Sequence, residues 1–181
     1  MKLLSIPAVI IAGIAYPVIV YLGVQHDRLS LVIGVVILAM VIKLMTLKDN
    51  TVLRQQTLFV SIAGIMLMLC AYWADSAVLV KCYPVVVNLV LLSLFIISLH
   101  RNQPVITQLA MSADADLDEA GFVYTRQVTV IWCWFFTVNT IVSLSTLFMS
   151  NQAWVIYNSL ISYCLIASLL IGELVYRKVM T

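Results

Sequence analysis

Six apolar runs separated by short polar breaks constrain this chain more than any other feature. They cover about residues 3–24, 29–47, 57–74, 79–99, 127–149 and 153–175. A helix needs roughly 20 apolar residues to cross about 30 Å of hydrocarbon, and each run is close to that length. Hydrophobic residues make up 64% of the 181-residue chain and charged residues 10%, and mean hydropathy is +1.10. A water-soluble domain carries about 25% charged residues, so this chain has too little polar surface to cover a globule in water. The sequence therefore predicts an all-α integral membrane bundle of about six transmembrane helices, a single membrane domain over 1–181. The first run, within "MKLLSIPAVIIAGIAYPVIVYLGV", exceeds the roughly 7–15 apolar residues of a signal peptide and lacks a small-x-small cleavage site. It reads as a retained first span.

The basic residues orient the bundle. Threading six spans puts Lys2, Lys43, Lys48, Arg54, Arg101, Arg126, Arg177 and Lys178 on one side and only Arg28 and Lys81 on the other. Both termini and the long fourth loop, about 100–126, are then expected in the cytoplasm. Lys43 lies within the second run but near its cytoplasmic end, where a lysine snorkels to the interface. Within the loop, Val105, Ile106 and Leu109 share one helical face, which suits a short amphipathic helix at the headgroups. Asp114, Asp116, Asp118 and Glu119 follow. They read as a solvated loop or as a docking patch for a cytoplasmic partner. The spacing does not match a calcium loop.

Polar residues inside apolar runs carry most of the functional information, because each needs a partner there. At about 1.5 Å per residue, Asn88 and Asn139 fall near the middle of the fourth and fifth spans. An amide pair at equal depth acts as interhelical glue or lines a polar cavity. Toward the outer side lie Trp73, Asp75, Lys81, Tyr83, Trp154, Tyr157 and Asn158. The aromatic residues suit an interfacial belt, and Asp75 and Lys81 flank one turn and can pair. Thr129, Trp132, Phe136, Asn139, Ser143 and Thr146 recur at three- and four-residue steps, a stripe expected to face other helices. On the cytoplasmic side, Glu173 and Arg177 are spaced for an ion pair, with Arg126 and Arg101 at similar depth. Glu173 reads as one half of such a pair, or as a proton, cation or amine site.

Other chemistry finds little support. The chain has no GxSxG, HExxH or phosphate loop, and no His/Asp cluster that would activate a nucleophile. Cys70, Cys82, Cys133 and Cys164 form no CxxC motif, and neither His26 nor His100 is near them. They read as buried thiols; Cys70 and Cys82 fall toward one membrane face, which would allow a disulfide, but spacing alone does not support one. No cofactor or metal is expected. The net charge of +2, with no basic run, gives no argument for nucleic acid.

Four segments, "KCYPVVVN", "RNQP", "YTRQVTVIWCWFFTVN" and "AWVIYN…IGELVYR", together resemble a family of small uncharacterised bacterial inner-membrane proteins encoded in clusters for aryl-polyene or fatty-acid-like lipid synthesis. The resemblance covers roughly Lys81 to the C-terminus. It implies a Gram-negative inner membrane and a link to envelope lipid or pigment chemistry, and no assigned reaction. The element order, with "QPVITQL" and "WCWFF", is also distantly similar to the intracellular septation protein A family. Where that family carries a lysine four residues after the last-span tryptophan, this chain has Asn158 after Trp154. The ketosynthase label sometimes given to such proteins does not suit this chain, whose cysteines lack His or Asn partners. The expectation is a non-enzymatic inner-membrane protein that supports envelope lipid or aryl-polyene-type lipid biosynthesis as a membrane partner or scaffold. Its partners would be membrane lipids, cytoplasmic lipid-biosynthesis proteins and a second copy of itself. The alternative is a small lipid or metabolite transporter or flippase, with Lys81, Asn88, Asn139, Asn158 and Glu173 around a midplane cavity.

Overall fold

The structure, a computed structural model, describes residues 5–45, 51–112 and 117–180. Among these residues every regular element is helical. In chain order they are α1 (Ser5–Gln25), α2 (Leu29–Met45), α3 (Thr51–Trp73), α4 (Ala77–Lys81), α5 (Tyr83–His100), α6 (Val105–Met111), α7 (Glu119–Thr146), α8 (Asn151–Ile156), a π-helical turn (Tyr157–Ile161) and α9 (Ser162–Met180). Four helical stretches are long and apolar enough to cross a membrane: Arg54–Trp73, Tyr83–His100, Glu119–Thr146 and Asn151–Glu173. The apolar helix α2 is shorter, at 17 residues. Large apolar side chains cover the outside of the bundle, among them Leu38, Trp134, Ile141, Leu160 and Ile171, each at least 59% exposed. Such a surface is costly in water and suited to lipid, consistent with a membrane protein.

Three helix ends share one device. Asp27, Asp75 and Asn102 adopt positive φ, between 45° and 53°. The residue after each donates its N–H five residues back: Arg28 to Gly23 O at 2.8 Å, Ser76 to Ala71 O at 3.0 Å and Gln103 to Ser98 O at 3.0 Å. This six-to-one bond closes a helix whose next residue is left-handed. Asp and Asn tolerate that conformation better than other non-glycine residues. Asp75 thus has a structural task, ending α3.

Besides α3, which starts at Thr51, six residues before the expected run, two boundaries depart from the expected spans. The run over 79–99 is divided at Cys82, and Pro84 sits in the first positions of α5, where its missing N–H costs least. The run over 127–149 is part of a longer helix that starts at Glu119. Asp118 caps it, with Oδ1 accepting the Gly121 N–H at 2.8 Å, and Glu119 adds negative charge to its first turn. About one third of the expected cytoplasmic loop is therefore helix α7.

Helices α5 and α7 form the central pair; α3 lies along α5, and α2 along α3. Helix α1 packs on α2, α4, α8 and the π turn. One apolar cluster joins these outer helices through Tyr16, Val20, Val32, Met68, Val80 and Trp154. A second joins α5, α6 and α7 through Phe95, Val105, Val128, Trp132 and Phe136. The amphipathic piece at Val105 is thus packed into the bundle, and Thr107 and Thr125 bond across it at 2.6 Å. Close approach of α3 to its neighbours depends on Gly64. A Cβ there would lie 2.6 Å from Met40 Cε and 2.9 Å from Tyr83 Cε2. Gly64→Val is expected to lower stability by about 1–3 kcal/mol through overpacking. Unfolding by SDS titration in mixed micelles measures it, and an unchanged midpoint would contradict the packing.

Candidate functional site

Along α5 and α7, polar side chains occupy the level between the two apolar clusters. Asn88 projects from α5, 8% exposed, and Asn139 from α7, 4% exposed. The structure brings them together: Asn139 Nδ2 donates to Asn88 Oδ1 at 3.0 Å. Its second N–H faces Ser162 Oγ at 3.0 Å, and its carbonyl oxygen accepts from the Tyr157 hydroxyl at 2.8 Å. A side-chain amide has two donors and one carbonyl acceptor, so Asn139 is satisfied by protein groups alone. Asn88 turns its own donor back to Pro84 O at 2.7 Å.

A second layer lies one turn away. Ser143 donates to Asn158 Oδ1 at 2.7 Å, while Asn158 Nδ2 reaches Trp154 O at 2.9 Å and Thr146 Oγ1 at 3.3 Å. All six residues of the α7 stripe, Thr129, Trp132, Phe136, Asn139, Ser143 and Thr146, are buried. The stripe is a continuous seam of hydroxyls, amides and rings against the other helices.

The π turn makes this arrangement possible. In a regular α-helix, positions five apart diverge by roughly 140° around the axis. Here the Ser162 N–H bonds to Tyr157 O, so both side chains reach the same Asn139. Asn158 and Ser159 bond back to Trp154 O and Val155 O, the carbonyls just before the widened turn. Single π turns inside α-helices recur at functional sites; this one holds three of the polar side chains on its own stretch.

The end of the bundle at α4 and α8 is organised differently from the sequence expectation. Lys81 Nζ donates to Asn151 Oδ1 at 2.6 Å and makes no pair with Asp75. Trp154 is 1% exposed and donates its indole N–H to Lys81 O at 3.3 Å. It is a core residue that ties α8 to α4, because its ring fills the space beside Val80 and Met68. Tyr83 packs at a tilt against Tyr16, with ring centroids 4.7 Å apart and planes at 53°, and Tyr16 OH donates to Val80 O at 2.6 Å. These contacts lock the α4–α5 break onto α1.

At the other end, Arg126 Nη1 donates to Asn102 Oδ1 at 3.2 Å, and Arg101 follows the last turn of α5. Glu173 is half-buried in α9, and the side chain of Arg177 lies outside the described residues. Asp114 and Asp116 also lie outside them. Asp118 and Glu119 are accounted for by the α7 N-terminus. Cys70, Cys82, Cys133 and Cys164 are free thiols, so Cys70 and Cys82 are not bridged.

Sequence reasoning missed Ser162, Asn151 and Tyr16 as partners. Ser162 was legible only with the π turn known. Tyr16 carries no spacing signal, because it meets Val80 across distant sequence. No family model, curated protein or solved structure matches this chain.

The geometry gives a sharp energetic expectation. Asn139→Leu alone leaves Asn88, Tyr157 and Ser162 with unpaired polar atoms and should destabilise by about 1–3 kcal/mol. A double-mutant cycle with Asn88→Leu should report a coupling of about 0.6–1.7 kcal/mol, the range for interhelical side-chain bonds in membranes. Unfolding free energies of the four proteins in bicelles supply the cycle; strictly additive losses would contradict a direct amide bond.

Proposed function

We propose that the protein is a six-span inner-membrane protein with both termini in the cytoplasm, acting as a non-enzymatic scaffold or membrane partner for envelope lipid biosynthesis, of the aryl-polyene type. The observation that carries the scaffold reading is the closure of the amide cluster. Asn139 spends every polar atom on Asn88, Ser162 and Tyr157, which leaves Asn139 itself no group to hold a passing solute. A transport pathway needs polar groups that exchange partners with water or cargo. A seam whose amides and hydroxyls bond one another instead fixes how α5, α7 and α9 sit and so presents constant surfaces to lipids and partner proteins. The link to lipid synthesis rests on the motif resemblance from Lys81 onward. The orientation rests on the eight-to-two distribution of basic residues.

Two experiments test these parts separately. A reporter fused after Thr181 is expected to read cytoplasmic, and one inserted at Asp75 periplasmic; a periplasmic C-terminal reporter would overturn the topology. For function, the paired replacement Asn88→Leu with Asn139→Leu is expected to keep the membrane lipid profile of the parent cell, given parental protein levels. Loss of a lipid product in that variant, at unchanged abundance, would favour a transporter using the amides.

A further inference from the structure

At the end of the bundle that carries Arg54, Arg101 and Arg126, a cavity of about 90 Å³ opens between α3, α5 and α6. Its polar lining is Gln55, Gln56, Ser98, Arg101, Gln103 and Gln108, with no carboxylate among them. Some of these groups are already committed. Ser98 Oγ donates to Phe95 O at 2.7 Å and accepts the Val105 N–H at 3.2 Å. Gln108 Nε2 donates to Gln103 O at 2.5 Å. Two donors remain. Gln56 Nε2 is buried with no hydrogen-bond partner among the described residues. The Arg101 guanidinium, exposed at the mouth, makes no side-chain bond to them either.

A buried donor without a partner costs on the order of 1–3 kcal/mol, and native structures rarely keep one without a reason. The cavity is polar and holds room for several waters or one small oxyanion. Among the described residues its only formal charge is positive, so the complementary ligand is an anion. Guanidinium and amide N–H groups suit the oxygens of a phosphate or carboxylate. Leu94 and the outward-facing Ile97 continue the wall toward the lipid-type surface.

We propose that this cavity binds an oxyanion headgroup, a phosphate or carboxylate, between the Arg101 guanidinium and Gln56 Nε2. An attached acyl chain would run over Leu94 and Ile97. The site is distinct from the amide cluster at Asn139, and it stands whether the protein is a scaffold or a transporter.

Thermal unfolding of the full chain in non-ionic detergent tests it, titrated separately with inorganic phosphate and with dodecyl phosphate. At least one probe is expected to raise the midpoint in a saturable way. Arg101→Gln should weaken the apparent affinity about tenfold or more, the effect of losing a charged hydrogen bond. Gln56→Leu should also weaken it, yet unfold no earlier than the parent without ligand, because it removes an unpaired donor. Saturation by inorganic phosphate assigns a free anion, and saturation by dodecyl phosphate alone assigns a lipid headgroup; both support the site. No saturable shift with either probe, or equal shifts in the parent and in Gln56→Leu, would overturn it.

Discussion

Asn139 sets the constraint on which this architecture turns. An amide in the middle of an apolar helix cannot lean on water, so its two donors and its carbonyl must find protein. Asn88, Ser162 and Tyr157 supply the partners, from α5, α9 and the π turn. Meeting all of them at once fixes the rotation of α5, the position of α7 along it, and the irregular turn in the last helical stretch. The apolar clusters on either side tolerate sliding and repacking. The amide seam does not, because a displaced helix leaves polar atoms unpaired.

The π turn then reads as a consequence of that constraint. With regular α geometry after Trp154, Tyr157 and Ser162 would project to different sides of their helix. The widened turn costs backbone geometry but delivers both to Asn139. It also brings Asn158 to Ser143, while Trp154, just before it, sits in the core with its indole on Lys81 O. Lys81 in turn closes onto Asn151. A chain of polar contacts therefore runs from the end of the bundle at Asn151 to Ser143, with each group held by the next.

Much of the seam was legible in the sequence because helical spacing is strict. The stripe from Thr129 to Thr146 follows directly from steps of three and four, and Asn88 and Asn139 match in depth once α5 and α7 are antiparallel. Three things were not legible. Trp154 looked like an interfacial residue because aromatic position along a span does not reveal which side of the helix faces the bundle. Asp75 looked like an ionic partner for Lys81, whereas its backbone takes the left-handed conformation that ends α3, a role usually marked by glycine. The convergence of Tyr157 and Ser162 depends on a departure from the periodicity on which pattern reading relies.

The closed state of the amide cluster is the central claim, and thiol accessibility tests it most directly. Ser162→Cys would be placed in a variant lacking the four native cysteines, with Ser150→Cys, in the exposed turn after α7, as the reference. A charged, water-soluble thiol reagent would be applied to the protein in lipid. Position 150 is expected to react readily, and position 162 to stay unmodified until the protein is unfolded. Modification of position 162 at a rate comparable with position 150 would mean that water reaches the cluster, and would contradict a seam closed by its own side chains.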